Sequence, residues 1–404
     1  MLTSGQLAVI KQTVPVLQEN GETLTRHFYQ RMFRHNPEVL GFFNPAHQRS
    51  GSQQRALAGA ICAYARHIDN PGVLADAVEL IAQKHVSLGI QPEHYPIVGD
   101  NLLASIREVL DEAATDDILD AWAAAYDALA DIFIEREKAL YEAQEQQFGW
   151  RGFKRFVVTR REPASENIVS LYLEPEDGTV LQPHQPGQYL TIRLTLPNGE
   201  TVMRNYSLSN CPGEKFYRIS VKREGGGDIP AGVGSSHLHD HIGVGDQVAV
   251  APPCGSFILQ EPKAEKPLVL IAGGVGITPI LSMLHAALKK GEGRRVVFVQ
   301  GALNSAVQPF AGELAELKRI HPDLQVHVRY SDPLPKDRDN QPHDSEGMID
   351  EALLDALIGQ VEAEYYFCGP APMLKHIHDL LEHRGVPEAD IHYEFFGPAK
   401  SLAA

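Results

Sequence analysis

The chain has 404 residues, enough at about 150 residues per domain for two or three domains that each bury a core. Hydrophobic residues make up 43% and charged residues 22%, an ordinary globular composition that excludes a disordered or fibrous chain. Lys+Arg 36 against Asp+Glu 52 gives a net charge of −16, which argues against nucleic acid or an anionic membrane as the main partner.

The four cysteines (Cys62, Cys211, Cys254, Cys368) form no CxxC pair, which excludes a disulfide scaffold or a cysteine zinc site and fits a reducing cytoplasm. The start, Met1-Leu2-Thr3-Ser4-Gly5-Gln6, has neither the basic nor the apolar region of a signal peptide. Residues 267–288 carry no Asp, Glu, Lys or Arg, but Gly273, Gly274, Gly276 and Pro279 interrupt them. A strand, a glycine turn and a helix are expected there rather than a membrane span.

Residues 1–148 read as all helix. Thr3 and Gln6 have capping-box spacing. Leu24, Phe28 and Met32 repeat at helical spacing, as do Gln53, Leu57 and Ile61, and Leu74, Val78, Ile81 and His85. Residues 121–137 are rich in alanine and apolar side chains. Breaks are expected at Asn36-Pro37, Asn44-Pro45, Asn70-Pro71 and Gln91-Pro92, and Pro15 should kink or shorten the first helix.

The pattern changes at Gly149-Trp150-Arg151-Gly152. Short alternating strands are expected at 156–160, 168–173, 188–196, 202–208, 216–221, 247–251 and 256–259, with a hairpin at Pro197-Asn198-Gly199. That pattern suggests a small antiparallel barrel over 149–262. From 263 to 404 strands and helices alternate, with apolar strands expected at 268–272, 296–300, 325–329, 365–368 and 391–395. This alternation predicts a doubly wound parallel sheet, and the polar run 331–347 reads as a surface loop.

In the third segment, Leu268-Val-Leu-Ile-Ala272 runs into Gly273-Gly-Val-Gly276-Ile-Thr278-Pro279 and a helix. Glycines let backbone approach a pyrophosphate, and a helix N-terminus offers unpaired N–H groups to it. One glycine turn is weak evidence, but Tyr365-Tyr-Phe-Cys368-Gly369-Pro370 supplies a second at the same sheet edge. Arg204-Asn205-Tyr206-Ser207 offers a clamp, a stacking ring and a hydroxyl, although alone it is four common residues on a strand.

Taken in order, Pro186-Gly187-Gln188-Tyr189, Arg204 to Ser207, Gly273 to Pro279, Cys368-Gly-Pro370 and Glu394-Phe-Phe396-Gly-Pro398 resemble the ferredoxin–NADP⁺ reductase superfamily. The resemblance implies a Greek-key flavin barrel and a nicotinamide-nucleotide domain. Tyr189, Arg204, Asn205, Tyr206 and Ser207 would hold FAD. Gly274, Val275, Gly276, Ile277, Thr278 and Pro279 would take the NAD(P)H pyrophosphate. Phe395, Phe396, Gly397 and Pro398 would lie at the flavin and nicotinamide site. A second FAD-phosphate turn falls at 232–236, where Gly234 and Ser236 depart from the family pattern. Leu303 stands where NADPH would need a charged partner and only Ser305 remains, which points to NADH.

In the first segment, His85 alone reads as well as a packed core histidine. Its setting is different: Val78 and Ile81 share its face, Gln53 and Leu57 lie one turn apart on another helix, and Phe28-Tyr29 and Phe42-Phe43 add aromatic wall. Heme needs one axial imidazole on a helix and apolar cover for the porphyrin. With His27-Phe28-Tyr29-Gln30-Arg31-Met32-Phe33, Asn36-Pro-Glu38, Gln53, Lys84-His85, Gln91-Pro-Glu-His-Tyr95-Pro-Ile-Val-Gly99 and Ala121-Trp122, the whole chain closely resembles the microbial flavohemoglobin family, also called nitric oxide dioxygenase.

That resemblance implies heme b with His85 as proximal iron ligand, and Tyr95 and Glu135 behind it. Without the family match, Glu135 reads as part of a solvated helix face. Tyr29 and Gln53 would bond bound O₂, with Leu57 and Phe43 shaping the pocket. Lys84 and Glu394 would lie near the heme–flavin gap. The implied activity is NAD(P)H-driven oxidation of nitric oxide to nitrate through FAD and heme, in a cytoplasmic monomer with O₂, nitric oxide and NAD(P)H as its small-molecule partners. A lipid in the apolar heme pocket is neither supported nor excluded. A sensor fits poorly because the appended module is an electron donor, and heme content would separate the dioxygenase from a plain flavin reductase.

Overall fold

In the computed structural model, residues 2–225, 231–261, 266–291 and 293–397 are described. Two compact units divide the chain, one built on Met1–Gly152 with Arg193–Met203 and the other on Phe153–Ile192 with Arg204–Phe396.

The first unit is helical: α1 (Ser4–His35), α2 (Pro45–Arg49), α3 (Ser52–Arg66), α4 (Ala75–Leu88), α5 (His94–Leu110) and α6 (Asp116–Phe148). The capping box forms, with Gln6 N–H donating to Thr3 Oγ1 at 3.2 Å and Thr3 N–H to Gln6 Oε1 at 2.9 Å. Pro15 does not shorten α1, which runs on to the break expected at Asn36-Pro37. The helix runs on because Ile10, Leu17, Leu24, Phe28 and Met32 bury one stripe spanning both sides of the proline, so packing outweighs the lost backbone bond. That stripe joins Tyr64, Ala65, Leu102, Ile106, Trp122 and Ala125 in one core.

Residues 153–396, which apart from 193–203 belong to the second unit, hold two sheets. The first takes β1 (Lys154–Ser165), β2 (Ile168–Pro175), β3 (Tyr189–Thr195), β4 (Thr201–Ser207), β5 (Tyr217–Lys222) and β6 (Gln247–Val250) in the order β4-β3-β6-β1-β2-β5. An antiparallel bridge between Leu208 and Ile219 joins its two ends, closing a barrel. A short helix, α7 (Val233–His241), precedes β6.

The expected strand at 256–259 does not form. Pro252 and Pro253 lack ladder donors, and Gly255 turns the chain at φ +118°. Phe257 and Leu259 then pack against the second sheet's core.

That second sheet is parallel throughout: β7 (Leu268–Gly273), β8 (Val296–Ala302), β9 (Gln325–Tyr330), β10 (Ser345–Glu346), β11 (Glu364–Cys368) and β12 (Ile391–Glu394), ordered β10-β9-β8-β7-β11-β12. Helices α8 (Ile277–Lys290), α9 (Ala311–Ile320), α10 (Pro335–Asn340), α11 (Glu351–Ile358) and α12 (Ala371–His383) connect these strands. Leu268 and Leu270 face the layer of α8 and α9, while Val269 and Ile271 face that of α11 and α12. This period of two explains why β7 is buried at every position. The segment 267–288 is therefore strand, turn and helix, and among the described residues no helix is long and apolar enough to cross a membrane.

The polar run 331–347 is more ordered than a loop: α10 and β10 lie within it. Buried Asp337 organises it by accepting from Ser305 N and Leu334 N, each at 3.1 Å.

Candidate functional site

Three helices of the first unit meet at His85. Its Nδ1 lies 2.7 Å from Glu137 Oε1 and 3.2 Å from the Tyr95 hydroxyl, and Tyr95 donates to the same Glu137 oxygen at 2.5 Å. Glu137 is 2% exposed. A carboxylate can only accept, so Nδ1 carries the hydrogen and the lone pair is left on Nε2, the form that binds a metal. Tyr126 donates to the Tyr95 carbonyl at 2.7 Å, which anchors the tyrosine's backbone. Burial, and then the Glu137 carboxylate, push the Tyr95 phenol far above its ordinary pKa, so it stays a donor.

This corrects one expectation: the acid behind His85 is Glu137, not Glu135. Two positions on a helix lie about 200° apart, so only one of these residues can face α4. Glu135 is exposed. The buried face of α6 carries Ala130, Phe133, Glu137, Leu140, Tyr141 and Gln144. That spacing is legible in the sequence, and following it through 121–137 would have placed Glu137 on the core side.

Opposite this clamp in sequence role, Tyr29 is 5% exposed within an aromatic cluster, its ring 5.0 Å from Phe28, 5.7 Å from Phe33 and 5.6 Å from Phe43. Gln53 hydrogen-bonds the Tyr29 side chain, so the structure brings these two expected residues together. Burial pushes the Tyr29 phenol up to about 12, against the lowering effect of Gln53. Phe43, Leu57 and Ile61 are partly buried on the same core. The donor set fits heme: one imidazole with its inner nitrogen tied to a buried acid, its side chain 32% exposed, and apolar neighbours to cover a porphyrin. An apolar cavity of about 340 Å³ lies between α3, α4 and α6, lined by Tyr64, Leu74, Val78, Leu129 and Ile132 among others. Lys84 is exposed on α4, one residue before His85.

In the barrel, β4 presents Arg204, Asn205, Tyr206 and Ser207, and β3 begins with Tyr189. Thr191 Oγ1 donates to Asn205 Oδ1 at 2.8 Å and fixes its orientation. Gly234 lies against this group: a Cβ there would stand 2.8 Å from Arg204 Cγ and 3.6 Å from the Tyr206 hydroxyl. The departure at Gly234 is therefore a fit, because the start of α7 must approach Arg204 and Tyr206 closely. The helix N-terminus and the arginine together form a cradle suited to a dinucleotide phosphate.

In the parallel sheet the chain leaves β7 toward β8 on one side and later returns to β11 on the other, which makes the carboxyl ends of β7 and β11 the switch point. Both expected glycine turns stand there and interlock. A Cβ on Gly276 would lie 2.4 Å from Cys368 C and O, while one on Gly274, at φ +54°, would meet nothing within 4 Å. The backbone at Gly274 is thus open to a ligand. Val275 precedes the start of α8, and Thr278 Oγ1 donates to the Val275 carbonyl at 2.9 Å, while Ile277 and Pro279 are buried in the helix.

Glu394 ends β12 beside Cys368. Phe395 packs on the layer of α11 and α12, and Phe396 is 43% exposed. Gly397 is described, and Pro398 lies outside the described residues.

Within this unit the barrel and the parallel sheet are tied by a buried ion pair that the sequence did not signal. Arg218 of β5 grips Glu313 of α9 at 2.8 and 3.0 Å, and His285 Nε2 reaches the same carboxylate at 2.6 Å.

Comparison with known proteins gives each region a family. Residues 26–133 match the globin model, 155–258 the oxidoreductase FAD-binding domain, and 270–379 the oxidoreductase NAD-binding domain. A flavohemoprotein of Rhodopirellula baltica is 49% identical over 407 residues, covering 100% of both chains. The chain belongs to the flavohemoproteins.

A second relative, from Halalkalibacterium halodurans, is 48% identical and covers 98% of this chain and 97% of its own. The flavohemoglobin of Malassezia yamatoensis, solved with bound FAD and heme, superposes with a TM-score of 0.85 at 30% identity, covering 98% of this chain and 100% of that one. The FAD/NAD-binding domain of a nitric oxide dioxygenase from Vibrio cholerae matches at TM-score 0.55 and 35% identity, covering 61% of this chain and 100% of that one. This flavohemoprotein is accordingly an oxidoreductase with heme, FAD and NAD-binding modules.

Proposed function

We propose that this flavohemoprotein is a nitric oxide dioxygenase, using NAD(P)H, O₂ and nitric oxide and releasing nitrate. The observation that carries the reading is the His85–Glu137–Tyr95 clamp, joined in one chain to flavin and nicotinamide modules. When bound, the nicotinamide, FAD and heme supply hydride donation, its division into single electrons, and oxygen activation.

The protein's own residues set the conditions. Glu137 accepts the His85 Nδ1–H, which makes Nε2 a more basic ligand and favours O–O bond cleavage. Tyr95 holds the carboxylate by its shared oxygen. Tyr29 and Gln53 place hydrogen-bonding groups where dioxygen would be held. Arg204 and the start of α7 would hold the FAD pyrophosphate, Tyr189 and Tyr206 would hold the flavin, and Gly274 to Pro279 would take the NAD(P)H pyrophosphate. Lys84 and Glu394 would tune electron transfer, and Phe396 would cover the flavin ring. The domains divide near 148 and 262, the second boundary falling at residues outside those described.

NADH is the preferred donor. Leu303, just past β8, is apolar and 56% exposed, and the Ser305 N–H is already taken by the Asp337 carboxylate. Neither residue offers a cation to a 2′-phosphate. The test is nitric oxide consumption at an electrode with heme- and FAD-replete protein, NADH and air. Rapid NADH-dependent loss with nitrate as product supports the reading. Flavin reduction without nitric oxide loss overturns it.

A further inference from the structure

We propose that His237 and His241 on α7 form a two-imidazole site for a divalent transition cation of the nickel, copper or zinc class. The two residues stand at i and i+4, one above the other on the same helix face, the spacing by which a helix presents two nitrogen ligands to one metal. Their ring centroids are 5.1 Å apart, with the planes at 42°. With a metal–nitrogen bond of about 2.1 Å and about 1.2 Å from ring centre to nitrogen, ring centres at that spacing subtend roughly 100° at a shared metal. That is close to the tetrahedral angle and leaves two positions for water.

The neighbouring groups are committed elsewhere. His239 lies on the other side of the helix with its Nε2 2.8 Å from the Val221 carbonyl, and Asp240 is held by Arg223 through two contacts. His237, by contrast, has its Nδ1 out of solvent with no hydrogen-bond partner. Neutral imidazole suits nickel, copper and zinc better than magnesium or calcium. A bound cation would staple the second turn of α7 to its last and stiffen the helix that begins at the 232–236 turn.

The experiment is calorimetric titration of the holoprotein with Ni²⁺, alongside His237→Gln, His241→Asn and His239→Gln. The expected result is one Ni²⁺ per chain that is bound at least tenfold more weakly in His237→Gln and in His241→Asn, and unchanged in His239→Gln. Cu²⁺ on the parent should give an electron paramagnetic resonance spectrum with coupling to two nitrogens that the single variants lose. Should His237→Gln fail to fold, His241→Asn decides alone, since His241 is exposed. Equal Ni²⁺ isotherms in parent and variants, or a Cu²⁺ spectrum indifferent to the pair, overturn the site.

Discussion

His85, Tyr95 and Glu137 stand on three helices and lie up to 52 positions apart, whereas the Gly273 to Gly276 turn is four consecutive residues at the end of one strand. The first arrangement depends on how long helices pack, and a rotation of α6 by one residue would break it. The second depends on local backbone conformation and on a close approach to Cys368. A dispersed site is therefore sensitive to side-chain identity at distant positions, and a contiguous one to added volume. Substitutions can separate these two kinds of dependence.

The largest effect belongs to His85→Ala, which should leave the protein without heme while NADH still reduces its flavin. A Soret band of parental intensity after purification would break the comparison at its root. Next comes the pair Glu137→Gln and Glu135→Gln. The first should lower nitric oxide turnover about 10- to 100-fold, the range seen when a ligand's buried partner is removed. The second should stay within about twofold, since its side chain is in solvent. Equal losses would mean that α6 sits in a different register.

Gly276→Ala tests the other region. Its added methyl meets the Cys368 backbone, and such overpacking costs about 1–3 kcal/mol, read as a lower thermal midpoint together with slower flavin reduction by NADH. In Gly274→Ala the new Cβ meets no neighbour, so its cost is only the left-handed backbone strain of about 1–2 kcal/mol at φ +54°, and it should weaken NADH binding without the steric clash. Smaller again, Tyr29→Phe removes one hydrogen bond worth about 1 kcal/mol, so oxygen should dissociate roughly fivefold faster in flash photolysis. An unchanged off-rate would remove Tyr29 from the distal role.

The effect on acid stability does not touch the active groups at all. Burial would raise the Glu313 carboxyl, but His285 and Arg218 hold it down to about 2, against an ordinary value of 4.5. A carboxylate depressed in the folded state stabilises it above the unfolded value, and that contribution fades as pH falls from 4.5 toward 2. Buried His184, kept neutral with a pKa of about 3 against 6.5, erodes stability in the same direction, beginning below pH 6.5 because only the unfolded chain takes up the proton. Glu313→Gln should flatten the acid limb of the unfolding curve in the lower window alone.

The same contrast explains what the sequence made legible. The parallel sheet, its two glycine turns and the flavin strand were readable because strand, turn and helix follow one another and each residue's role is set by its neighbours. The helices of the first unit were readable from their apolar spacing, and His85, Tyr95, Tyr29 and Gln53 through the family resemblance. Glu137 was missed for Glu135 because both are glutamates in one helix and only the face distinguishes them. α1 ends at the expected Asn36-Pro37 break, and Pro15 does not end it early because the apolar stripe on both sides of it carries the helix through. The latch of Arg218, Glu313 and His285 left no trace, since its members come from β5, α9 and α8 and share no spacing. The strand at 256–259 and the order within 331–347 failed for a similar reason: tertiary partners, Phe257's core and Asp337's two amides, decided them.

The way the two sheets end has a consequence for solubility and aggregation. The barrel's terminal strands meet at a bridge between Leu208 and Ile219. The parallel sheet ends on β10, two residues long, and β12, four residues long, while its fully apolar strand β7 is flanked on both sides. Neither edge offers another chain a template long enough for strand-to-strand growth. During folding, however, β7 is an apolar run that no charge interrupts, and it becomes safe only when β8 and β11 arrive. Destabilising changes near β11, whose last residue touches the Gly273 to Gly276 turn, should therefore appear in cells first as insoluble protein and only later as slow enzyme.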